Sequence, residues 1–261
     1  MRSPLKTFGG KSRLAQKIIK LMPPAETYIE GCCAGFSVGL NLLPGWHGRR
    51  IANDINPRII NFWRVLRDSQ PALSDFLSGI DYTQENWDLA EEWECSNDPV
   101  EAAAGYMIRG RFSRSGQRKV FSWSDRLRGS QPENINSWHT IRASLPKISA
   151  SIQDVLFFNV DVCSILDGYD NKTSLFYLDP PYLHETRTAD DDYEYEMSFD
   201  YHEKMLKLIN QVQGKVMISG YMSDLYANYL YDWTLVKFNV KNNSGQGKTK
   251  QDRTECLWLN Y

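Results

Sequence analysis

The chain has 261 residues, 42% hydrophobic and 24% charged, enough apolar material for one large α/β domain or a core with an insert, and too much for a disordered polymer. The net charge of −2 announces no nucleic acid by itself, and five cysteines without a Cys-x-x-Cys pair, beside only four histidines, argue against a zinc site or a disulfide framework. Met1-Arg2-Ser3-Pro4-Leu5-Lys6 lacks the apolar core of a signal peptide, and no run approaches the roughly 18 apolar residues of a membrane span, so a cytoplasmic protein with reduced thiols is expected.

Leu14, Ile18, Ile19 and Met22 recur at helical spacing, which predicts a helix over Lys11–Met22 closed by Pro23-Pro24. Gly10-Lys11-Ser12 at its start has the ending of a phosphate-binding loop. The first glycine of that motif should fall at position 5, which is Leu5, so a nucleotide triphosphatase is set aside. Thr27-Tyr28-Ile29-Glu30 reads as a short strand, followed by the small-residue turn Gly31-Cys32-Cys33-Ala34-Gly35-Phe36-Ser37 and a helix Val38–Leu43 that Pro44-Gly45 closes. The vicinal Cys32 and Cys33 read as small apolar filler, not as a redox pair or a nucleophile.

Arg50–Asn56 reads as a second strand ending at Asp54, with Pro57 opening a helix. Asp54 lies 24 residues after Glu30, the spacing at which a Rossmann-like sheet sets an acid on a ribose hydroxyl; a helix-capping role before Pro57 is the alternative. From about Ser69 to Ile148 the strand–helix rhythm breaks. This Trp-rich, mainly helical stretch includes Arg109, Arg111, Arg114, Arg118, Lys119, Arg126 and Arg128 against the single acid Asp125, a local patch suited to phosphates or simply a solvated basic face. The acidic stretch Glu85–Glu101 and the triplet Asp190-Asp191-Asp192 balance the total.

The rhythm resumes with a strand over Val155–Asp161 and a second over Leu175–Leu178, then a helix Tyr201–Val212, a strand Lys215–Ser219, a helix near Leu225 and strands near Trp233–Val240 and Thr254–Asn260. Leu175-Phe176-Tyr177-Leu178 is the most informative of these, because it runs straight into Asp179-Pro180-Pro181-Tyr182. Prolines cannot donate to a ladder, so the strand stops at Asp179 and leaves an acid at a strand's carboxyl end, where open α/β sheets bind ligands. A rigid strand-terminating turn with Tyr182 packed beneath it is the structural alternative.

Taken in order, Gly9-Gly10-Lys11, Tyr28-Ile29-Glu30, Asn53-Asp54-Ile55-Asn56, Phe176 to Tyr182 and Glu255-Cys256-Leu257-Trp258 resemble the N6-adenine DNA methyltransferases of the D12 class, the DNA adenine methylase family, most nearly its phage or prophage members. The resemblance spans nearly the whole chain. It implies a Rossmann-like methyltransferase fold: a mixed seven-stranded sheet formed by residues 1–68 and 149–261, with a mainly helical target-recognition domain inserted at 69–148. It further implies methyl transfer from S-adenosyl-L-methionine to adenine N6 of double-stranded DNA, in a restriction-modification or phage setting, by a monomer or weak dimer in the cytoplasm that meets the nucleoid through DNA, with no metal and no membrane.

Residue by residue, the resemblance assigns the catalytic edge to Asp179, Pro180, Pro181 and Tyr182. The Asp179 carboxylate and Pro180 carbonyl accept the two amine hydrogens, and Tyr182 offers a stacking face to a flipped-out base, the ring mattering more than the hydroxyl. The cofactor is assigned to Thr7, Lys11, Glu30, Asp54, Asp161 and Asp179, with Asp54 on the ribose hydroxyls, Asp179 also facing the methionine amino group, and Asp161 on the adenine side or capping a helix. DNA phosphates fall to Arg109, Arg111, Arg114, Arg118, Lys119, Arg126 and Arg128. A second basic set, Lys237, Lys241, Lys248, Lys250 and Arg253, either touches the DNA backbone or is solvated.

Two departures from the family pattern stand out. Thr7-Phe8 occupies the place of Trp-Ala before Gly-Gly-Lys, and Gly31-Cys32-Cys33-Ala34-Gly35-Phe36 replaces Pro-Phe-x-Gly-x-Gly. A bulky Phe36 where glycine lets the backbone approach a ligand predicts weaker cofactor binding. A catalytically weakened DNA-binding relative and an N4-cytosine DNA methyltransferase are the alternatives in function.

Overall fold

The computed structural model describes residues 1–42, 46–187, 194–240 and 253–261, with the backbone alone at 240 and 253. Pro44-Gly45, Asp190-Asp191-Asp192, Lys241, Lys248 and Lys250 therefore lie outside the described residues, as does the Arg253 side chain. In chain order the elements are α1 (Ala15–Ile19), β1 (Thr27–Glu30), β2 (Arg49–Asn53), α2 (Pro57–Asp68), α3 (Gln70–Ser78), α4 (Gln84–Trp93), α5 (Pro99–Arg111), β3 (Leu127–Arg128), β4 (Gln131–Pro132) and α6 (Glu133–Ser151). They continue with β5 (Val155–Phe158), α7 (Val162–Tyr169), β6 (Ser174–Leu178), α8 (Phe199–Ile209), β7 (Lys215–Gly220), α9 (Asp224–Tyr229), β8 (Thr234–Val240) and β9 (Arg253–Leu259).

Seven strands form one mixed sheet in the order β5-β2-β1-β6-β7-β9-β8, the seven-stranded mixed sheet expected above. Parallel pairing joins β1 to β2 and β6, and β6 to β7, whereas β9 runs antiparallel to both β7 and β8. Strands buried on both faces read as unbroken apolar runs, and every residue of β6 is buried, as the run Leu175–Leu178 implies.

Two expected helices are shorter than their patterns. Lys11–Met22 yields a 3₁₀ turn over Lys11–Arg13 before α1, because neither Gly10 nor Leu14 offers a side-chain cap to the first N–H groups. Val38–Leu43 yields only a 3₁₀ turn at Gly39–Asn41. The strands after Arg49 and Val155 also stop earlier than expected, at Asn53 and Phe158, and Asn56 and Asp161 cap the helices that follow.

The chain folds as two compact units. One comprises Met1–Leu21, Ala34–Trp46 and Asn56–Asn159; the other comprises Met22–Cys33, His47–Ile55 and Val160–Tyr261. In the first, Trp63 stacks on Phe157 at 6.0 Å with Phe36 edge-on to both, and Trp138, Leu73, Leu77 and the Ala103–Ile108 face of α5 extend the core. Arg64 and Arg67 of α2 donate to the carbonyls of Phe157 and Val155, each at 2.7 Å. In the second, Tyr28, Ile29, Phe176, Tyr177, Met217 and Ile218 of β1, β6 and β7 are fully buried on the two faces of the sheet, and α7 and α8 each bury an apolar face. Among the described residues, no helix is long and apolar enough to cross a membrane.

Candidate active site

In the second unit, parallel strands bring their carboxyl ends to one edge. Glu30 pairs in register with Ala52 and Tyr177, and Leu178 with Ile218, so Glu30, Asn53-Asp54, Asp179 and Tyr221 leave their strands side by side. Because β9 is antiparallel and pairs Cys256 with Gly220, Glu255 arrives at this edge from the opposite direction. Gly31 lets the first strand pass: a Cβ there would stand 2.6 Å from Leu178 Cδ2 and 3.1 Å from Val162 Cγ2.

Glu30 is buried and accepts the Tyr28 hydroxyl at 2.8 Å; these residues share a strand face two positions apart. Asp54 is buried. Asp161 caps α7 by accepting the Cys163 N–H at 2.9 Å, and its other oxygen accepts the Tyr201 hydroxyl. Half-buried Cys32 reports the local field: burial pushes its thiol up, and Asp54, Asp179 and Asp161 push it further. Buried Cys33 is raised likewise, by burial and then Asp54 and Glu30. Neither thiol is prepared as a nucleophile.

Asp179 is half-buried at the end of β6, followed by buried Pro180. Tyr182 is only 5% exposed, its ring packed edge-on against Tyr221 at 4.7 Å. Its hydroxyl donates to Glu255 Oε2 at 2.6 Å and lies 3.4 Å from Asp179 Oδ1. The ring and the hydroxyl thus have separate partners. Behind the edge, fully buried His202 of α8 shares a hydrogen bond at 3.0 Å between Nδ1 and the Tyr226 hydroxyl. Burial lowers its pKa to about 4, against a weaker upward pull from the Pro181 backbone.

Sequence reading alone left Asn53, Tyr221, His202 and Glu255 without roles. Asn53 stood one residue before Asp54, and Glu255 stood in a quoted motif, but the partners of Tyr182 and His202 lie 73 and 24 residues away. No local pattern carries such contacts.

Thr7 and Lys11 belong to the first unit. Buried Lys11 donates to the Gly9 carbonyl at 2.9 Å, and Thr7 accepts the Gly10 N–H at 3.4 Å. Here the basic residues separate into two groups. Arg111 is buried and donates to the Pro4 and Ser3 carbonyls, burial pulling its pKa down to about 9; Lys6 answers by donating to the Ser113 carbonyl at 2.6 Å. Arg109 lies 3.6 Å over the Trp87 ring, and Arg118 pairs with Glu94 and lies 3.9 Å over Tyr106. Arg114, Lys119, Arg126 and Arg128 are exposed, as are Val120, Trp123 and Leu127 among them.

Phe36 has φ 47°, in the left-handed region that favours glycine, and its ring is fully buried against Trp63 and Phe157. The departure that predicted weaker cofactor binding thus fills the core of the first unit.

The family model for D12 class N6 adenine-specific DNA methyltransferase matches residues 8–246. The type II methyltransferase M.FokI of Planomicrobium okeanokoites is 23% identical and the modification methylase StsI of Streptococcus sanguinis 27% identical, each match covering 100% of this chain and 43% of the relative. The chain spans less than half the length of these curated relatives. Among solved structures, a precorrin-6y C5,15-methyltransferase from Geobacter metallireducens GS-15 aligns over 96% of this chain and 86% of that one, at 11% identity and a TM-score of 0.40.

Proposed function

Because the chain belongs to the D12 class N6 adenine-specific DNA methyltransferases, we propose that its second unit transfers a methyl group from S-adenosylmethionine to N6 of a flipped-out adenine in duplex DNA. The observation that carries this reading is the acid Asp179 at the carboxyl end of β6, followed by two prolines and a tyrosine and grouped with Asp54 and Asp161 around Cys32.

When bound, the donor supplies a methyl group on an electron-poor sulfonium. The donor set suits it: carboxylates grouped at one edge of the strands favour a sulfonium and a methionine ammonium, and Glu30 and Asp54 offer acceptors to hydroxyls and amines. Adenine N6 is a poor nucleophile because its lone pair is delocalised into the ring. Asp179 and the Pro180 carbonyl, accepting its two hydrogens, would draw that pair out of conjugation and favour the pyramidal transition state. Proline fixes the backbone, so this acceptor needs no reorganisation during reaction. Raised thiols at Cys32 and Cys33 support direct transfer over a covalent enzyme intermediate.

Residues 69–148 serve target recognition in this reading, with Arg114, Lys119, Arg126 and Arg128 facing phosphates, while Arg111 holds the N-terminal segment that carries Thr7 and Lys11. Incubation with a labelled methyl donor and unmethylated duplex, followed by digestion to nucleosides, tests the assignment. Label in N6-methyladenine that disappears in Asp179→Ala supports it; label in N4-methylcytosine, or DNA binding without transfer, overturns it.

A further inference from the structure

We propose that Glu255 is the terminal acceptor of the proton released by the methylated amine, and that the Tyr182 hydroxyl passes it there from Asp179; the proposal rests on the methyl-transfer reading above. Tyr182 has one hydroxyl hydrogen and two carboxylates within reach, Glu255 at 2.6 Å and Asp179 at 3.4 Å. The shorter contact takes the hydrogen, so the phenol oxygen turns lone pairs toward Asp179. While Asp179 is ionised, no hydrogen lies between those two oxygens. Once Asp179 carries a proton, it becomes a donor facing a ready acceptor.

Each bond in the sequence is accounted for. Forming the N–C bond while the sulfonium S–C bond breaks leaves a positive charge on N6, and one N–H proton moves to Asp179. The Asp179 O–H then breaks as a new Tyr182 O–H forms, and the original Tyr182 O–H breaks as a Glu255 O–H forms. Nothing is oxidised or reduced. Burial, then Asp179 and Glu255, holds the phenol well above its usual range, so Tyr182 acts as a bridging hydroxyl and not as a phenolate.

The placement of Glu255 explains why the proton travels. A base seated on Asp179 covers it from water, whereas Glu255 is half-exposed near the start of β9 and can return the proton to solvent. Asp179 is thereby restored as an acceptor for the next amine.

The test uses the full chain, an unmethylated adenine duplex in excess and multiple-turnover kinetics. Glu255→Gln keeps an oxygen for the Tyr182 hydroxyl but cannot take its proton, and Tyr182→Phe removes the bridge. Each should slow turnover by about tenfold, and the double variant should be no slower than either alone. The solvent-isotope proton inventory should bow in the wild type and become linear in both variants. On the chain without donor or DNA, the Tyr182 hydroxyl proton should resonate far downfield, as in a short bond to a carboxylate, and move upfield in Glu255→Gln. Wild-type turnover in Glu255→Gln, multiplicative losses with an unchanged inventory, or a hydroxyl resonance that Glu255→Gln leaves in place would each overturn the relay. A wild-type chain that methylates no adenine refutes the functional reading instead, and the hydroxyl resonance still judges the bridge.

Discussion

Asn53 holds Val160 in both directions: its side-chain nitrogen donates to the Val160 carbonyl at 2.9 Å, and its oxygen accepts the Val160 N–H at 3.1 Å. The amide thus replaces a pair of ladder bonds just beyond the strands. The same nitrogen also donates to the Gly31 carbonyl at 3.0 Å, so a single buried side chain ties the turn after β1 to the residue preceding Asp161.

Asn53→Asp should be worse than Asn53→Ala, because a carboxylate faces two carbonyls it cannot donate to. Leaving a buried backbone group unpaired costs ~1–3 kcal/mol and this side chain serves three, so the alanine variant should lose at least about 3 kcal/mol in urea unfolding. An alanine variant within 0.5 kcal/mol of wild type, a level of about surface substitutions, would remove Asn53 from this role.

Gly31→Ala should lose stability by roughly 1–3 kcal/mol through overpacking against Leu178 and Val162. Since Leu178 precedes Asp179, methyl transfer should fall further than stability alone requires. Adding Leu178→Ala should recover part of the rate while lowering stability again. A double variant slower than Gly31→Ala would count against steric displacement of the edge.

His202 gives a pH dependence with a definite sign. Its pKa falls from 6.5 to about 4 on folding, so the unfolded chain binds the extra proton between those values. Its contribution is fully present above about pH 6.5, shrinks as pH falls toward 4 and is constant below that, an effect of about 3 kcal/mol at most. Melting temperatures from pH 7 to 4 should fall less steeply for His202→Gln than for the wild type. Parallel curves would show that other groups govern the acid side.

Arg111 and Arg128 separate two consequences of one basic stretch. Arg111→Ala leaves the Ser3 and Pro4 carbonyls without their buried donor and should destabilise by roughly 2–3 kcal/mol. Arg128→Ala should change stability by under about 0.5 kcal/mol but reduce the salt slope of DNA binding by about one. Unfolding curves and affinities at several salt concentrations read both, and an Arg128→Ala slope equal to wild type would place that side chain away from phosphate.

These contrasts mark what the sequence could disclose. The end of β6 was legible because an apolar run meets two residues that cannot extend a ladder, and β1 and the Asp54 turn were legible for similar local reasons. The helices expected at Lys11–Met22 and Val38–Leu43 were not, because apolar spacing records a face and says nothing of a missing cap. Seven basic residues between positions 109 and 128 were visible as density, but burial of Arg111 under residues over 100 positions away is tertiary information. The Tyr182–Glu255 bond required knowing that β9 runs antiparallel.

The Phe36 ring occupies the place a side chain at Gly39 would need, since a Cβ there would lie 2.1 Å from Phe36 Cε2. The two positions are therefore coupled. Phe36→Gly would open a void beside Trp63, and adding a side chain at Gly39 would strike the ring. A loop transplanted from another family member would have to carry positions 36 and 39 together.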